Sequence, residues 1–197
     1  MKNTMEQLAA DAANWAVAAP AASKVAGMQM VSIRTGDGRF PCVQPSLAEH
    51  LGEQSVLYEP SVYNGTGQEE RVNIVMSIGD AAAEHMRSVE QVVKDKLRDF
   101  VPGIDRIWNS SVGENQKGTT TLKAKIRVRG EGRVKCYDRS RNEIQPPSQW
   151  RGISICPIIE VRGAYVQRTS CGLVMEVIAC ILGESPTSKS VGASSFR

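Results

Sequence analysis

Apolar and polar residues alternate in short runs along much of this chain, most densely after residue 119, and only one stretch repeats at helical spacing. Alternation places successive side chains on opposite faces of a strand. It predicts strands over 28–33, 71–78, 119–129, 133–138, 153–162, 164–168 and 173–182. Asp37-Gly38 is a turn pair, Gly130-Glu131-Gly132 is expected to turn the chain so that 133–138 returns beside 119–129, and Thr169–Gly172 turns it again. The helical stretch is 80–100: Ala82, Met86, Val89, Val93, Leu97 and Phe100 recur three or four residues apart, Asp80 is the expected N-cap, and Pro102-Gly103 ends the helix. Breakers crowd 41–71, where Pro41, Pro45, Pro60, Asn64-Gly65 and Gly67 predict irregular chain, and 109–121 reads as a polar linker. Residues 1–27 are Ala-rich and read as an arm or short helix, 28–183 as one domain, and 184–197, rich in Ser, as a disordered tail. Strands joined by tight turns around a single inserted helix point to a mainly β fold, an antiparallel barrel or small sandwich.

The segment Thr121–Arg129 divides its chemistry by face. Leu122, Ala124, Ile126 and Val128 point one way and can fill a barrel; Lys123, Lys125, Arg127 and Arg129 point the other. Successive members of that row are about 6.6–7 Å apart, from the strand rise. Four like charges in a row repel one another, which argues against a purely structural role and for a polyanion that releases counterions on binding. The expected return strand adds Arg133, Lys135 and Tyr137 on one face, with Val134 and Cys136 on the other. Charge that tracks a backbone, with rings on which bases stack, is the minimal single-strand platform. Trp150, Arg162, Tyr165 and Arg168 can extend it. Tyr137 fits a structural tyrosine as readily, core packing is the stronger reading of Trp150, and Trp15 and Trp108 are assigned to packing.

Charge distribution sharpens this picture. The net charge is +3, yet residues 117–168 hold twelve Lys or Arg against four acids, leaving the remainder of the chain at −5. A basic region on an otherwise acidic protein suggests a polyanion partner; a solvated charged face is the bland alternative. Five cysteines, an odd number with no C-x-x-C pair, read as thiols of a reducing compartment. No metal site is expected, because His50 and His85 lie far from any cysteine pair. The chain has no run of eighteen apolar residues and no signal-like start, so neither membrane span nor secretion is expected. Catalytic signatures are missing too: there is no G-x-S-x-G, H-E-x-x-H, Walker A or G-x-G-x-x-G. The reading is therefore non-enzymatic, without cofactor or metal.

The order of the motifs carries a resemblance. Val89-Glu90-Gln91-Val92-Val93 on the helix is followed by Thr121-Leu122-Lys123-Ala124-Lys125-Ile126, then Val134-Lys135-Cys136-Tyr137-Asp138, Trp150-Arg151-Gly152, Ile158–Val166 and Cys171-Gly172-Leu173. Over roughly 85–183, and more weakly over 30–80, the chain resembles the single-stranded-DNA-binding OB-fold proteins of large DNA viruses of eukaryotes, akin to those of phages. The resemblance implies an OB-type barrel that coats single-stranded DNA with little sequence preference, in replication, recombination or repair of viral DNA. A virion structural or packaging protein holding duplex genome, or contacting another capsid protein, is the alternative. Implied partners are single-stranded DNA foremost, with RNA, a second copy of the chain and replication proteins as further candidates and no membrane; the implied location is intracellular, in host cytoplasm or nucleus, or in the virion. One departure matters. Phage and bacterial binders often end in an acidic, aromatic-tipped tail, whereas this chain ends Ser195-Phe196-Arg197 and has one acid, Glu184, in its tail. Recruitment of enzymes through the tail is therefore not expected.

Overall fold

The computed structural model describes residues 12–43, 54–62 and 65–183. The first part of the expected arm and the expected tail at 184–197 lie outside the described residues. Strands run β1 (Ala16–Val17), β2 (Ala21–Ala22), β3 (Met28–Val31), β4 (Ile33–Arg34), β5 (Cys42–Val43) and β6 (Arg71–Ser77). Helices α1 (Asp80–Leu97) and α2 (Ile104–Ile107) follow, then β7 (Val112–Glu114), β8 (Thr120–Arg127), β9 (Lys135–Tyr137), β10 (Glu143–Ile144), β11 (Ile155–Gln167) and β12 (Cys171–Leu182). The fold is mainly β, rich in antiparallel pairs, with one main helix, as the alternation predicts.

Long strands make the frame. β11 pairs antiparallel with β12 along nearly its whole length, with register shifts at Ile158/Ile159 and Val161/Gly163. Such bulges bend a strand and increase its twist. The bends let the other edge of β11 serve β5 at Ile159 and Glu160 and β3 at Ala164–Gln167. Gly163, at φ 147°, is the second bend, and a Cβ there would sit 2.1 Å from the Val31 carbonyl oxygen. On the far side β12 pairs β8, and β8 pairs β6 over its full length. The ring closes through residues 54–57. Ser77 N donates to Ser55 O and Leu57 N to Val75 O, while Val56 N donates to Ile153 O and Ile155 N to Gln54 O. This joins β6 back to the start of β11 and leaves a closed, OB-type barrel.

The barrel interior receives Leu122 and Ile126 of β8, Ile74 and Met76 of β6, and Met175 and Val177 of β12, all at most 2% exposed. α1 packs against β1, β7, β8 and α2 and buries Ala82, Met86, Val89, Val93 and Leu97. Phe100 does not join that stripe: the helix ends at Leu97, and Phe100 is 48% exposed. Asp80 is not the cap either. Gly79 occupies that position, and the Asp80 carboxylate in the first turn, where the helix dipole favours it, accepts a bond from Thr120 Oγ1 at 3.2 Å.

Within the stretch expected to be an arm or short helix, residues 16–22 add the two short strands β1 and β2, and Trp15 is buried beside Ala12 in the core. Three further expectations are corrected. The linker at 109–121 contains β7, an edge partner of β8. The strands expected at 153–162 and 164–168 are one, because Gly163 bends the chain without breaking the ladder. Most consequentially, β9 does not return beside β8. Both run parallel to β12, β8 at Glu176–Val177 and β9 at Ala179–Ile181, so they lie in line along one edge. The barrel is therefore mixed rather than purely antiparallel.

Candidate functional site

The outer face of the sheet carries a groove of about 770 Å³. Across it the strand order is β3, β11, β12, β8, β6, and the chemistry changes along that order. β3 contributes Met28 and Met30 and β11 contributes Tyr165; β8 contributes Lys123 and Lys125 and β6 contributes Arg71 and Asn73. One side of the groove is thus thioether and aromatic, the other cationic. From β11 to β8 is two inter-strand steps, about 10 Å.

Trp108 adds a second ring, from the segment after α2, and Asn109, Ser110 and Ser111 continue that wall. A buried carboxylate sets this segment. Glu90 of α1, 4% exposed, accepts bonds from Ser110 Oγ at 2.6 Å, from Ser111 N at 2.6 Å and from Ser111 Oγ. Asn109 N then donates to Cys171 O at 2.7 Å, and Asn109 Nδ2 donates to Tyr165 Oη at 3.1 Å. Gly172 allows the approach, since a Cβ there would meet Asn109 O at 2.7 Å and the Tyr165 ring at 3.1 Å. Both rings are half-buried, so each is held yet keeps area to offer.

On the cationic side Lys123 is exposed and Lys125 is half-buried, its Nζ donating to Asn73 Oδ1 at 2.6 Å. Burial, and secondarily the charge of Arg71, holds the Lys125 ammonium below the ordinary lysine value. A desolvated cation beside another cation marks a place where an anion is favoured.

The basic row does not stay together as expected. Arg127 turns to carboxylates: its Nη1 lies 3.1 Å from Glu70 and its Nε 4.0 Å from Glu176. Arg71 and Arg162 also meet Glu176, each at 3.3 Å, and Arg162 meets Glu160 at 2.8 Å. The like-charge repulsion inferred for the row is therefore relieved at Arg127 by acids distant in sequence. Arg162 also lies 4.8 Å over the Phe40 ring. Arg129 and Arg133 line a separate hollow of about 350 Å³ between residues 59–72 and 128–150, where Arg129 Nη1 donates to Gln68 at 3.3 Å. Trp150 borders that hollow but is only 4% exposed and belongs to the core, with its backbone N–H held by Glu59 at 3.0 Å. It has no ring face to give a base, and its place in the platform is withdrawn. Lys135 is exposed and Tyr137 half-buried on β9, which pairs with β10 and β12 outside the groove. Arg168 is exposed at the β11–β12 turn, next to Gln167 of the groove.

Of the expected residues, then, the groove unites Lys123, Lys125 and Tyr165. It adds Arg71, Asn73, Met28, Met30, Trp108 and Asn109, which sequence reasoning missed. A signal existed for two of them: Val72 and Ile74 are apolar and inward, so Arg71 and Asn73 had to face outward with the β8 lysines once β6 paired β8. No such signal marks Trp108. Among the described residues no group of three His, Cys, Asp or Glu could hold a metal ion, and no helix is long and apolar enough to cross a membrane.

No protein-family model matches the chain, and no curated protein matches it. Among solved structures it is similar to the single-stranded DNA-binding protein from bacteriophage Enc34 in complex with single-stranded DNA, with 11% identity and a TM-score of 0.48 over 84% of this chain and 94% of that one. A second structure of that phage protein gives 10% identity and a TM-score of 0.47 over 91% of this chain and 96% of that one. The single-stranded DNA-binding protein encoded by bacteriophage T7 gives 12% identity and a TM-score of 0.39 over 73% of this chain and 97% of that one.

Proposed function

We propose that this protein binds single-stranded DNA in the groove between β3 and β6, without catalysis and with little sequence preference. The observation that carries the reading is the division of the groove: Lys123, Lys125 and Arg71 on one side, Tyr165, Trp108 and two methionines on the other. Cations neutralise phosphates, and rings accept bases of any identity because every base has a π-face. A duplex keeps its base faces stacked and offers only phosphates to such a surface, so the aromatic side favours single strands. The setting we propose is replication, recombination or repair of viral DNA; its support is the ordered motifs of residues 85–183.

The test is binding of a fluorescent deoxythymidine oligomer, a duplex of equal length and an RNA oligomer at two salt concentrations. Tight, salt-sensitive binding of the single-stranded DNA and weak binding of the duplex are expected. Equal affinity for duplex would overturn the reading in favour of a packaging role, and no binding to any of the three would remove the nucleic-acid reading altogether.

A further inference from the structure

Resting on that reading, we infer that Glu176 limits how tightly phosphate is held along the β12 face at the edge of the groove, by competing with it for three guanidinium groups, of which Arg71 lines the groove and Arg127 and Arg162 stand beside it. Glu176 points outward from β12, between β8 and β11, yet its side chain is only 9% exposed because Arg71, Arg127 and Arg162 close over it. With Glu70 on Arg127 and Glu160 on Arg162, three guanidiniums meet three carboxylates, and the cluster is formally neutral. The guanidiniums remain reachable: their side chains are 35%, 32% and 34% exposed. Arg127 Nη1 donates to Glu70 Oε2 at 3.1 Å, but the other two arginines are less directed. Among the described residues Arg71 Nε, Arg162 Nε and Glu160 Oε2 are buried without an aligned hydrogen-bond partner, although their side chains stand within ion-pair distance of opposite charge. Charge holds the cluster more than directed bonds do, and a phosphate can take over part of that charge.

Two consequences follow. A strand passing over β12 gains less from these arginines than their number suggests, because each phosphate is repelled by the carboxylate that shares its guanidinium. Release is also an exchange: as phosphate leaves, Glu176 restores neutrality, so no bare cationic cluster is left behind. A protein that coats a transient single strand must give it up, and an internal acid serves that need.

The test is Glu176→Gln, which keeps the shape and removes the charge, assayed with a deoxythymidine oligomer over a salt series. The oligomer should bind about three- to tenfold tighter at low salt, the range that one repulsion at guanidinium-sharing distance represents. The gain should shrink as salt rises, and the slope of log affinity against log salt should steepen by up to about 0.7. Glu70→Gln, at a carboxylate 59% exposed, should shift both quantities the same way by less. Unchanged or weaker binding by a natively melting Glu176→Gln protein would overturn the inference and make Glu176 an organiser of the arginines. Should Glu176→Gln fail to fold, Glu70→Gln decides alone, and no gain there overturns the inference. If the parent itself binds no oligomer, the proposed function falls and takes this inference with it; if the parent binds and the variants gain nothing, only this inference falls.

Discussion

Replacing Lys123 and Lys125 with Gln probes the cationic side of the groove at its two β8 positions. The pair lies two residues apart on one strand face, about 6.6–7 Å in rise, so both can meet successive phosphates. Each neutralised phosphate contributes about 0.7 to the slope of log affinity against log salt for a single strand. The double variant should therefore lose about 1.4 from the parent slope, equally for all base sequences, since phosphate contacts carry no base information. Stability should hold or rise. Lys125 has its folded pKa lowered by burial and then by Arg71, so between that lowered value and the ordinary one the unfolded chain binds more protons. Stability contributed by this group accordingly rises with pH through that window, and below it the cost of burying the charge is present in full. Gln removes that cost at neutral pH and can still bond Asn73. Fluorescence anisotropy over a salt series, with thermal melts, checks both parts. Arg129→Gln is the control: it lies in the other hollow, and its slope should match the parent. If the lysine variant keeps the parent slope while Arg129→Gln loses it, the groove is not the binding surface and the second hollow is.

Trp108→Ala should weaken oligomer binding by about 1–3 kcal/mol if a base stacks on the ring, and Trp108→Phe should recover most of it; equal binding by all three proteins would return Trp108 to packing. Gly163→Ala should cost more than about 3 kcal/mol in a urea melt, because its Cβ meets the Val31 carbonyl at 2.1 Å. Gly38→Ala, at φ 81° in open space, carries backbone strain alone, about 1–2 kcal/mol, and an equal cost at both sites would contradict the close approach at Gly163. Alkylation at pH 8 should label Cys42, the exposed thiol, and spare Cys171, which burial pushes up to about 11; mass spectrometry showing prompt modification of Cys171 would contradict its burial.

Periodicity told which face a side chain takes, and there the sequence was legible. Leu122, Ala124 and Ile126 are inward and Lys123 and Lys125 outward, as alternation requires. The helix stripe from Ala82 to Leu97 is buried for the same reason. Periodicity says nothing about neighbours across the sheet, and that is where the reading failed. Arg127 looked like one of four bare cations because Glu70 and Glu176 lie 57 and 49 residues away in the chain. β9 looked like the return of a hairpin because Gly130 and Gly132 are turn residues; both have φ 74°, but they serve a loop that rejoins the same edge. Trp108 does pack against the core, as expected, and its further place in the groove, for which the sequence holds no periodic signal, depends on Glu90 reaching Ser110 and Ser111.

That rejoining loop also makes a tolerant splice point. In a hairpin the loop length sets the register of the strands it joins, so an added residue moves side chains to the wrong face. Here β8 takes its register from β6 and β12, and β9 takes its own from β12; of the bridging residues, Val128 and Val134 pack at the core and 129–133 are exposed. Val134 N donates to Arg127 O at 2.9 Å, tying the two ends of the excursion together. Extra chain grafted after Glu131 lengthens a loop whose neck is already fastened, at an entropic cost of only about 0.6 kcal/mol per doubling of length. A peptide tag or a small reporter domain inserted there would be displayed beside the second hollow, with the barrel's strand pairing unchanged.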